Sequence, residues 1–292
     1  MKRILVIINK NWEADPIVAV LMNKKARPGN FPANDKPPSI HVTDNSGKDR
    51  EIWARALFRS PKATAEVWCV QDLMDPNVSS SSTFEKARVL PALFAIAHEA
   101  ELVLAIGTAA FPGEETHNGC VTVGTNCFIY DPYAAKPNPQ SPWTSPQIGK
   151  LLATQPAPFL RTVDQDLRAQ IESRFLRTSI SPADPPVMAV SADYVALSSA
   201  NVTDPSYYSW VDAAAMSAFA AAKTMHPIGS VETTLGVIRA LSDAPFTFVA
   251  GIANRVGCFN FETASRDYTQ NFVAAHNAGI VLAWMLPLLC EL

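Results

Sequence analysis

Residues 226–257, HPIGSVETTLGVIRALSDAPFTFVAGIANRVG, contain a strand, a helix and a second strand in succession. The predicted bounds are 229–232 for the first strand, 233–243 for the helix and 244–254 for the second strand. Glu232 stands at the head of a stretch of small and apolar residues, and the second apolar run ends abruptly on Asn254 and Arg255. Alternating strands and helices predict a layered α/β fold, in which ligands bind beyond the carboxyl ends of the strands.

The same alternation continues through most of the chain. Further strands are predicted at 3–9 and 65–73, at 101–110 (a strand that runs into a small-residue turn), at 119–132 (one or two strands) and at 186–201. Further helices are predicted at 13–25, 84–100, 163–176, 206–225 and about 265–286. No internal repeat and no change of composition marks a domain boundary, so residues 1–292 are predicted to form a single domain. Polar and proline-rich stretches near 27–50 and 132–160 are predicted to be insertions on its surface.

The composition is that of a globular protein and excludes several classes of function. Hydrophobic residues make up 48% of the 292 residues and charged residues 17%, and the formal net charge is −3. Because there is no basic excess, we expect no nucleic-acid partner. The five cysteines include no C-x-x-C pair, which argues against a zinc site or a disulfide framework. We therefore predict no metal and a cytoplasmic location.

Two apolar stretches could be taken for membrane signals. Residues 4–8, ILVII, are too few for the core of a signal peptide and are predicted to be a buried strand. Residues 272–289 are apolar but contain His276, Asn277 and Pro287, which favours a C-terminal helix packed on the domain over a membrane span. We expect no membrane partner.

Four segments, in this order and spacing, resemble the nucleoside phosphorylase and nucleosidase superfamily. That superfamily includes purine nucleoside phosphorylases, uridine phosphorylases and methylthioadenosine/adenosylhomocysteine nucleosidases. The segments are IGTAAFPG (106–113), NGCVTVGTNCFIYD (118–131), SVETTLG (230–236) and PFTFVAGIANRVG (245–257). The resemblance implies a three-layer phosphorylase-type α/β fold, in which helices flank a central mixed sheet. It also implies cleavage of the N-glycosidic bond of a purine nucleoside, a homo-oligomer, and no cofactor beyond inorganic phosphate as a possible co-substrate.

The resemblance assigns the ribose and the base to two of these segments. Glu232, with Val231 before it, matches the ribose ligand, and a carboxylate can accept hydrogen bonds from two vicinal hydroxyls. Asn254 matches the residue that contacts the purine base, where an amide can donate a hydrogen bond. Without the resemblance, Glu232 is also typical of a helix N-terminus and Asn254 of a turn. Ser198 and Asn201 lie near the base-binding loop of the family, but they also suit an ordinary loop.

Two further positions are implied to hold the nucleophile. Gly107, Thr108 and Ala109 match a small-residue turn that binds phosphate or the attacking water, because small residues let backbone N–H groups approach an anion. Glu13 lies near a glutamate that orients water in the nucleosidases. The alternatives are a plain turn after the strand at 101–106 and a solvated glutamate in the first turn of a helix.

The sequence departs from the family pattern, and two hypotheses of different class stay open. Ala110, Cys120, Ala250 and Asn254 each replace a residue typical of the family. The first hypothesis is an enzyme, for which Asn254 favours phosphorolysis of a 6-oxopurine nucleoside while the lack of phosphate-binding arginines favours hydrolysis. The second is a nucleoside- or base-binding protein that has lost catalysis. A dinucleotide-dependent oxidoreductase is disfavoured because 106–113 is not a G-x-G-x-x-G motif.

Overall fold

A computed structural model describes residues 1–22, 36–80, 82–95, 100–111, 121–124, 126–130, 143–144, 187–189, 193–197, 228–229, 238, 241–255 and 269–291. The strands are β1 (Lys2–Ile8), β2 (Ser39–Thr43), β3 (Asp49–Trp53), β4 (Ala56–Arg59), β5 (Ala63–Cys69), β6 (Leu102–Phe111), β7 (Val121–Gly124), β8 (Asn126–Tyr130), β9 (Trp143–Thr144), β10 (Val187–Ala189), β11 (Asp193–Leu197), β12 (Ile228–Gly229) and β13 (Phe246–Arg255). The helices are α1 (Asn11–Met22), α2 (Val70–Leu73), α3 (Thr83–Val89), α4 (Pro91–Phe94) and α5 (Thr269–Glu291).

Eleven of the strands in the described residues form one mixed sheet, as the sequence predicted. Its centre is parallel: β5, β1, β6 and β13 lie side by side in that order. Antiparallel pairs follow further out, with β4 on β5 and β7 on β13. The parallel strands all end at one edge of the sheet, which places the residues that follow β1 and β5 beside the later part of β6.

Helices cover both faces of the sheet, because successive side chains of a strand point to opposite faces. In β1, Ile4, Val6 and Ile8 belong to a core shared with α1 and α5. Leu5 and Ile7 belong to a second core, shared with α3 and α4. The two cores make the chain a three-layer α/β fold. They also explain why β1 is continuously apolar, since neither of its faces meets water.

Three of the predicted elements differ from the structure in kind and not only by a shift of their ends. The strand predicted at 65–73 ends at Cys69, where the chain turns into α2. The helix predicted at 84–100 is divided into α3 and α4 at Pro91, which has no N–H to continue the first helix. The polar stretch 27–50, predicted as a surface insertion, contains β2 and the start of β3 in its described part.

β2 and β3 form an antiparallel hairpin outside the large sheet. Buried and exposed residues alternate along β2, which is the pattern of a strand with one face on a core. Gly47 lies in the connection between β2 and β3 with φ +85°, a backbone conformation that residues other than glycine rarely adopt. Arg50 ties the hairpin to the segment after β5, because its guanidinium donates to the carbonyls of Asp72 and Met74 at 3.2 and 2.8 Å.

α5 accounts for the apolar C-terminal stretch. Its window Ala274–Glu291 is long and apolar enough to cross a membrane, with mean hydropathy 1.2, but 82% of it is buried inside the fold. The helix packs on α1 and on the face of the sheet that carries Ile4, Val6 and Ile8. Its apolar composition is therefore explained by contacts within the domain.

His276 on α5 gives the stability of the domain a predicted dependence on pH. The side chain is buried, and its Nε2 has no hydrogen-bond partner among the described residues. Burial lowers the pKa of His276 from 6.5 to about 4, so the folded state keeps the ring neutral. The unfolded chain binds a proton below about pH 6.5, so the free energy of unfolding falls by about 3 kcal/mol from pH 6.5 to 4.

The measurement is urea unfolding of the parent and of His276→Leu at pH 7 and pH 4.5. Other titrating groups contribute equally to both proteins, so the difference between their pH dependences reports His276 alone. The parent should lose more stability than the variant on acidification. Equal losses in the two proteins would contradict the prediction.

Candidate functional site

The candidate site lies at the edge of the sheet where the parallel strands end. β1 ends at Ile8, and the chain passes through Asn9 and Lys10 into α1. Glu13, in the first turn of α1, is fully buried. A buried carboxylate needs hydrogen-bond donors to offset the loss of water.

The hydrogen-bond donors to Glu13 lie on β6 and at the residue before its own helix. Its Oε1 accepts hydrogen bonds from the backbone N–H and from the hydroxyl of Thr108, at 2.8 and 2.9 Å. Its Oε2 accepts from the backbone N–H of Lys10 at 3.2 Å. This last bond is half of a capping box, because Glu13 is the third residue of the helix and Lys10 the residue before it. One carboxylate thus joins the start of α1 to β6.

The position of Glu13 follows from a gap along one edge of β6. β1 pairs with β6 only as far as Ile8 opposite Ile106. The described residues of β12 pair with β6 at Ala109 and Ala110. Between these two stretches, the N–H of Thr108 donates its hydrogen bond to the Glu13 carboxylate and not to a strand. Gly107 makes room for it, because a Cβ at that position would lie 2.7 Å from Oε1 of Glu13.

The predicted turn at Gly107, Thr108 and Ala109 is wrong. β6 continues through all three residues to Phe111, with Gly107 opposite Ala250, Thr108 opposite Gly251 and Ala109 opposite Ile252 on β13. Backbone N–H groups therefore do not form the loop-shaped anion cradle that the sequence suggested. Glu13 and Thr108, predicted separately, are in direct contact, and Glu13 is not the solvated residue of the alternative interpretation.

This arrangement is suited to holding a neutral nucleophile. The Thr108 hydroxyl donates its hydrogen to Glu13, so its oxygen can still accept a hydrogen bond. A carboxylate can accept a proton or a hydrogen bond from water, whereas a phosphate anion beside it would be repelled in a medium of low dielectric constant.

Asn254 is placed on the neighbouring strand. β13 continues to Arg255, so the interpretation of Asn254 as a turn residue is wrong. The register shifts between Ile252 and Asn254, which brings the Asn254 backbone opposite Ala110. The backbone of Asn254 therefore lies one strand across and a short distance along the sheet from Thr108.

Four predicted site residues lie outside the described residues. Val231 and Glu232 follow β12, whose described part ends at Gly229. Ser198 and Asn201 follow β11, which ends at Leu197. β11 pairs in parallel with β12, and β12 pairs with β6. Their roles remain predictions.

A group of polar residues meets around Asn11 at the start of α1, and the sequence did not indicate these contacts. Arg55, after β3, donates from Nε and Nη2 to the carboxylate of Asp72 at 2.5 and 2.7 Å, and from Nη2 to Oδ1 of Asn11 at 3.1 Å. The N–H of Asn11 donates to Oε1 of Gln71 at 3.0 Å. Asn11, Gln71 and Asp72 also line a cleft of about 440 Å³ between β3 and the segment after β5. Asn11 follows the strand predicted at 3–9, but Gln71 and Asp72 were placed inside the strand predicted at 65–73, which ends at Cys69 in the structure.

The arginines whose side chains the structure describes near the site are engaged by acidic groups or by backbone carbonyls. Arg55 pairs with Asp72, which raises the pKa of its guanidinium, and Arg50 donates to backbone carbonyls. Arg88 pairs with Glu85 on α3. Arg59 lies opposite Thr64, near the start of β5 and away from the edge that carries Glu13. No group of three or more His, Cys, Asp or Glu side chains within the described ranges is arranged to hold a metal ion.

Comparisons with known proteins give the fold. No protein-family model and no curated protein matches the chain. An adenosine/methylthioadenosine phosphorylase mutant from Schistosoma mansoni, in complex with methylthioadenosine, superimposes with TM-score 0.54 at 11% identity, over 100% of this chain and 92% of that one. A purine nucleoside phosphorylase from Toxoplasma gondii, in complex with immucillin-H, gives TM-score 0.50 at 9% identity over the same shares. The chain therefore has the three-layer fold of these structures.

Proposed function

We propose that this chain, which has the fold of the nucleoside phosphorylases and nucleosidases, cleaves the N-glycosidic bond of a nucleoside with water as the nucleophile. One fold can serve unrelated functions, so the proposal depends on the site and not on the fold alone. The observation that carries it is the fully buried Glu13, whose Oε1 accepts two hydrogen bonds from Thr108.

The proposed reaction assigns a proton-accepting role to Glu13. Water attacks C1′ of the ribose while the C1′–N bond breaks, and the base leaves with the bonding electrons. Glu13 accepts a proton from the attacking water and later releases it to solvent, while the departing base takes up one proton from solvent. A positioned carboxylate of this kind contributes typically 10²- to 10⁴-fold to a rate. Thr108 fixes the carboxylate and offers its hydroxyl oxygen to the water.

Two features of the described residues support water over phosphate. The first is the negative charge of Glu13, which disfavours an anion next to Thr108. The second is the engagement of Arg50 and Arg55 by carbonyls and by Asp72. Phosphate as a co-substrate stays a prediction from the sequence resemblance.

The base and the ribose are assigned by resemblance. Both solved structures compared above are phosphorylases of purine nucleosides, and we propose a purine nucleoside here too. Glu232 would accept hydrogen bonds from the ribose hydroxyls, and Asn254 would donate one to the base. Ser198, Asn201 and Val231 would complete the contacts with the nucleoside. A homo-oligomer and a cytoplasmic location remain predictions as well.

The test is release of free base from a panel of purine and pyrimidine nucleosides, with and without phosphate, by the parent and by Glu232→Ala. Release from a purine nucleoside without phosphate, reduced in the variant, is the expected result. Release that requires phosphate would replace hydrolysis by phosphorolysis. Release of pyrimidine bases alone would overturn the purine assignment.

The alternative function is binding of a nucleoside without cleavage. The contacts of Glu13 favour it in one respect, because they also join α1 to β6 and so have a structural use. Calorimetric titration of the folded parent with the same nucleosides distinguishes the two. Binding without release of base from any nucleoside would support the binding protein and would rule out the enzyme for that panel.

A further inference from the structure

We infer that Arg55 is a positioning residue for the proposed reaction: it fixes the rotation of α1 that directs Glu13 at Thr108. The inference rests on the proposed function for its effect on rate, but its structural part can be measured separately. The hydrogen bonds of Arg55 reach Asn11 and Asp15 on α1, so its effect on Glu13 would pass through the helix.

Arg55 donates hydrogen bonds to two residues on one face of α1. Its Nη2 donates to Oδ1 of Asn11 at 3.1 Å, and its Nη1 donates to Oδ1 of Asp15 at 3.3 Å. Residues four apart lie on the same face of a helix, so one guanidinium can reach both. Glu13 lies between them in sequence and about 200° around the helix axis, at about 100° per residue. By binding Asn11 and Asp15, Arg55 therefore sets the direction in which the Glu13 side chain leaves the helix.

Arg55 is itself held in place by residues that directly follow β5 of the large sheet. Asp72, in α2 directly after β5, binds Arg55 with both carboxylate oxygens. A two-pronged pair of this kind fixes orientation as well as distance. The neighbouring Gln71 accepts from the N–H of Asn11, and its own N–H donates to the carbonyl of Asn9 at 3.2 Å. β5 thus holds the start of α1 through side chain and backbone.

Cys69, the last residue of β5, also contacts Asn11 at the start of α1. Burial raises the pKa of the Cys69 thiol to about 12, so the sulfur keeps its proton. Its Sγ lies 3.1 Å from Oδ1 of Asn11, where the S–H can donate to the oxygen that also accepts from Arg55. The first residue of α1 is therefore held by a guanidinium, a thiol and an amide oxygen.

The backbone N–H of Thr108 reports the position of Glu13 directly. This N–H donates to Oε1 of Glu13 at 2.8 Å, at a part of β6 that lies past the last pair with β1. If α1 rotates, the N–H loses its acceptor, its proton resonance moves upfield and its exchange with solvent accelerates. Amide exchange requires no substrate, so it tests the inference whether or not the enzyme is active.

The experiment compares Arg55→Met and Arg55→Lys with Arg50→Met as the control. Arg50 also binds the segment after β5, but its guanidinium donates to the carbonyls of Asp72 and Met74 and not to side chains of α1. In Arg55→Met we expect exchange at Thr108 to accelerate and kcat to fall roughly 10- to 100-fold with little change in KM. Arg55→Lys keeps the positive charge but lacks the planar guanidinium that binds several acceptors, so its exchange rate and kcat should lie between those of the parent and Arg55→Met.

Each outcome bears on the inference. Unchanged exchange and resonance position at Thr108 in folded Arg55→Met would overturn it, as would an equal change in Arg50→Met. If the parent releases no base, the proposed function fails while the exchange measurement still decides the positioning role. Because Arg55→Met leaves the charge of Asp72 unpaired, the double variant with Asp72→Asn is measured too. Acceleration at Thr108 in that folded double variant supports the inference, and its absence counts against it.

Discussion

Replacing Glu13 by Gln should lower kcat/KM for release of base by roughly 10²- to 10⁴-fold, the range expected for loss of a positioned general base. Gln has nearly the same size and can still accept the hydrogen bonds from Thr108. It cannot take a proton from water, and its NH₂ group would face the N–H of Lys10, where the carboxylate now accepts. The loss should therefore be in rate, with the protein still folded. The measurement is steady-state kinetics on the best nucleoside of the panel.

The matched control is Glu101→Gln, the same chemical change at an exposed position before β6, at the end of the strand far from Thr108. It should retain the activity of the parent. Circular dichroism and urea unfolding of both variants would separate loss of catalysis from loss of folding. A kcat/KM of folded Glu13→Gln equal to that of the parent would remove Glu13 from the proposed mechanism.

Replacing Gly251 by Ala should cost about 4 kcal/mol or more in the free energy of unfolding. Gly251 lies on β13 opposite Thr108, where α5 crosses the sheet. A Cβ there would lie 2.0 Å from the carbonyl oxygen of Ala274 and 2.6 Å from its carbon. These are backbone atoms of a helix, so no change of side-chain rotamer relieves the overlap. The strand or the helix must move, and the core between them opens.

Urea unfolding measures this loss, and Gly47→Ala is its control. The same methyl group at Gly47 meets no atom within 4 Å, and only the φ of +85° disfavours it. That variant should lose about 1 kcal/mol, the usual cost of a left-handed conformation for a residue with a side chain. If Gly251→Ala were as stable as Gly47→Ala, the backbone of α5 could not lie as close to Gly251 as described.

Much of the fold could be predicted from local patterns. The run ILVII in β1 is apolar at every position, which predicted a strand covered on both faces, and the two cores confirm it. The stretch 119–132 was predicted as one or two strands, and its described part forms β7 and β8. The hairpin of β2 and β3 was missed, because its polar composition outweighed the weak alternation of its strands.

The candidate site was only partly predictable. Glu13 and Thr108 were each singled out, but nothing in the sequence indicated that they touch, since 95 residues separate them. Gln71 and Asp72 were not chosen, because the strand predicted at 65–73 included them and its true end at Cys69 was not recognised. Their contacts with Asn11 depend on how close the ends of β1 and β5 lie in the sheet.

The sequence by itself determined the alternation of strands and helices, the burial of β1 on both faces and the identity of the polar residues near the strand ends. These depend on side-chain periodicity, which acts over a few residues. Only the tertiary structure decided that β6 continues through Gly107, Thr108 and Ala109. Small residues suit a turn and a strand equally, and the choice was made by β13, which pairs with all three. The gap that Glu13 fills arises because β1 and β12 cover separate stretches of β6, and such a gap depends on strand pairing across the whole chain.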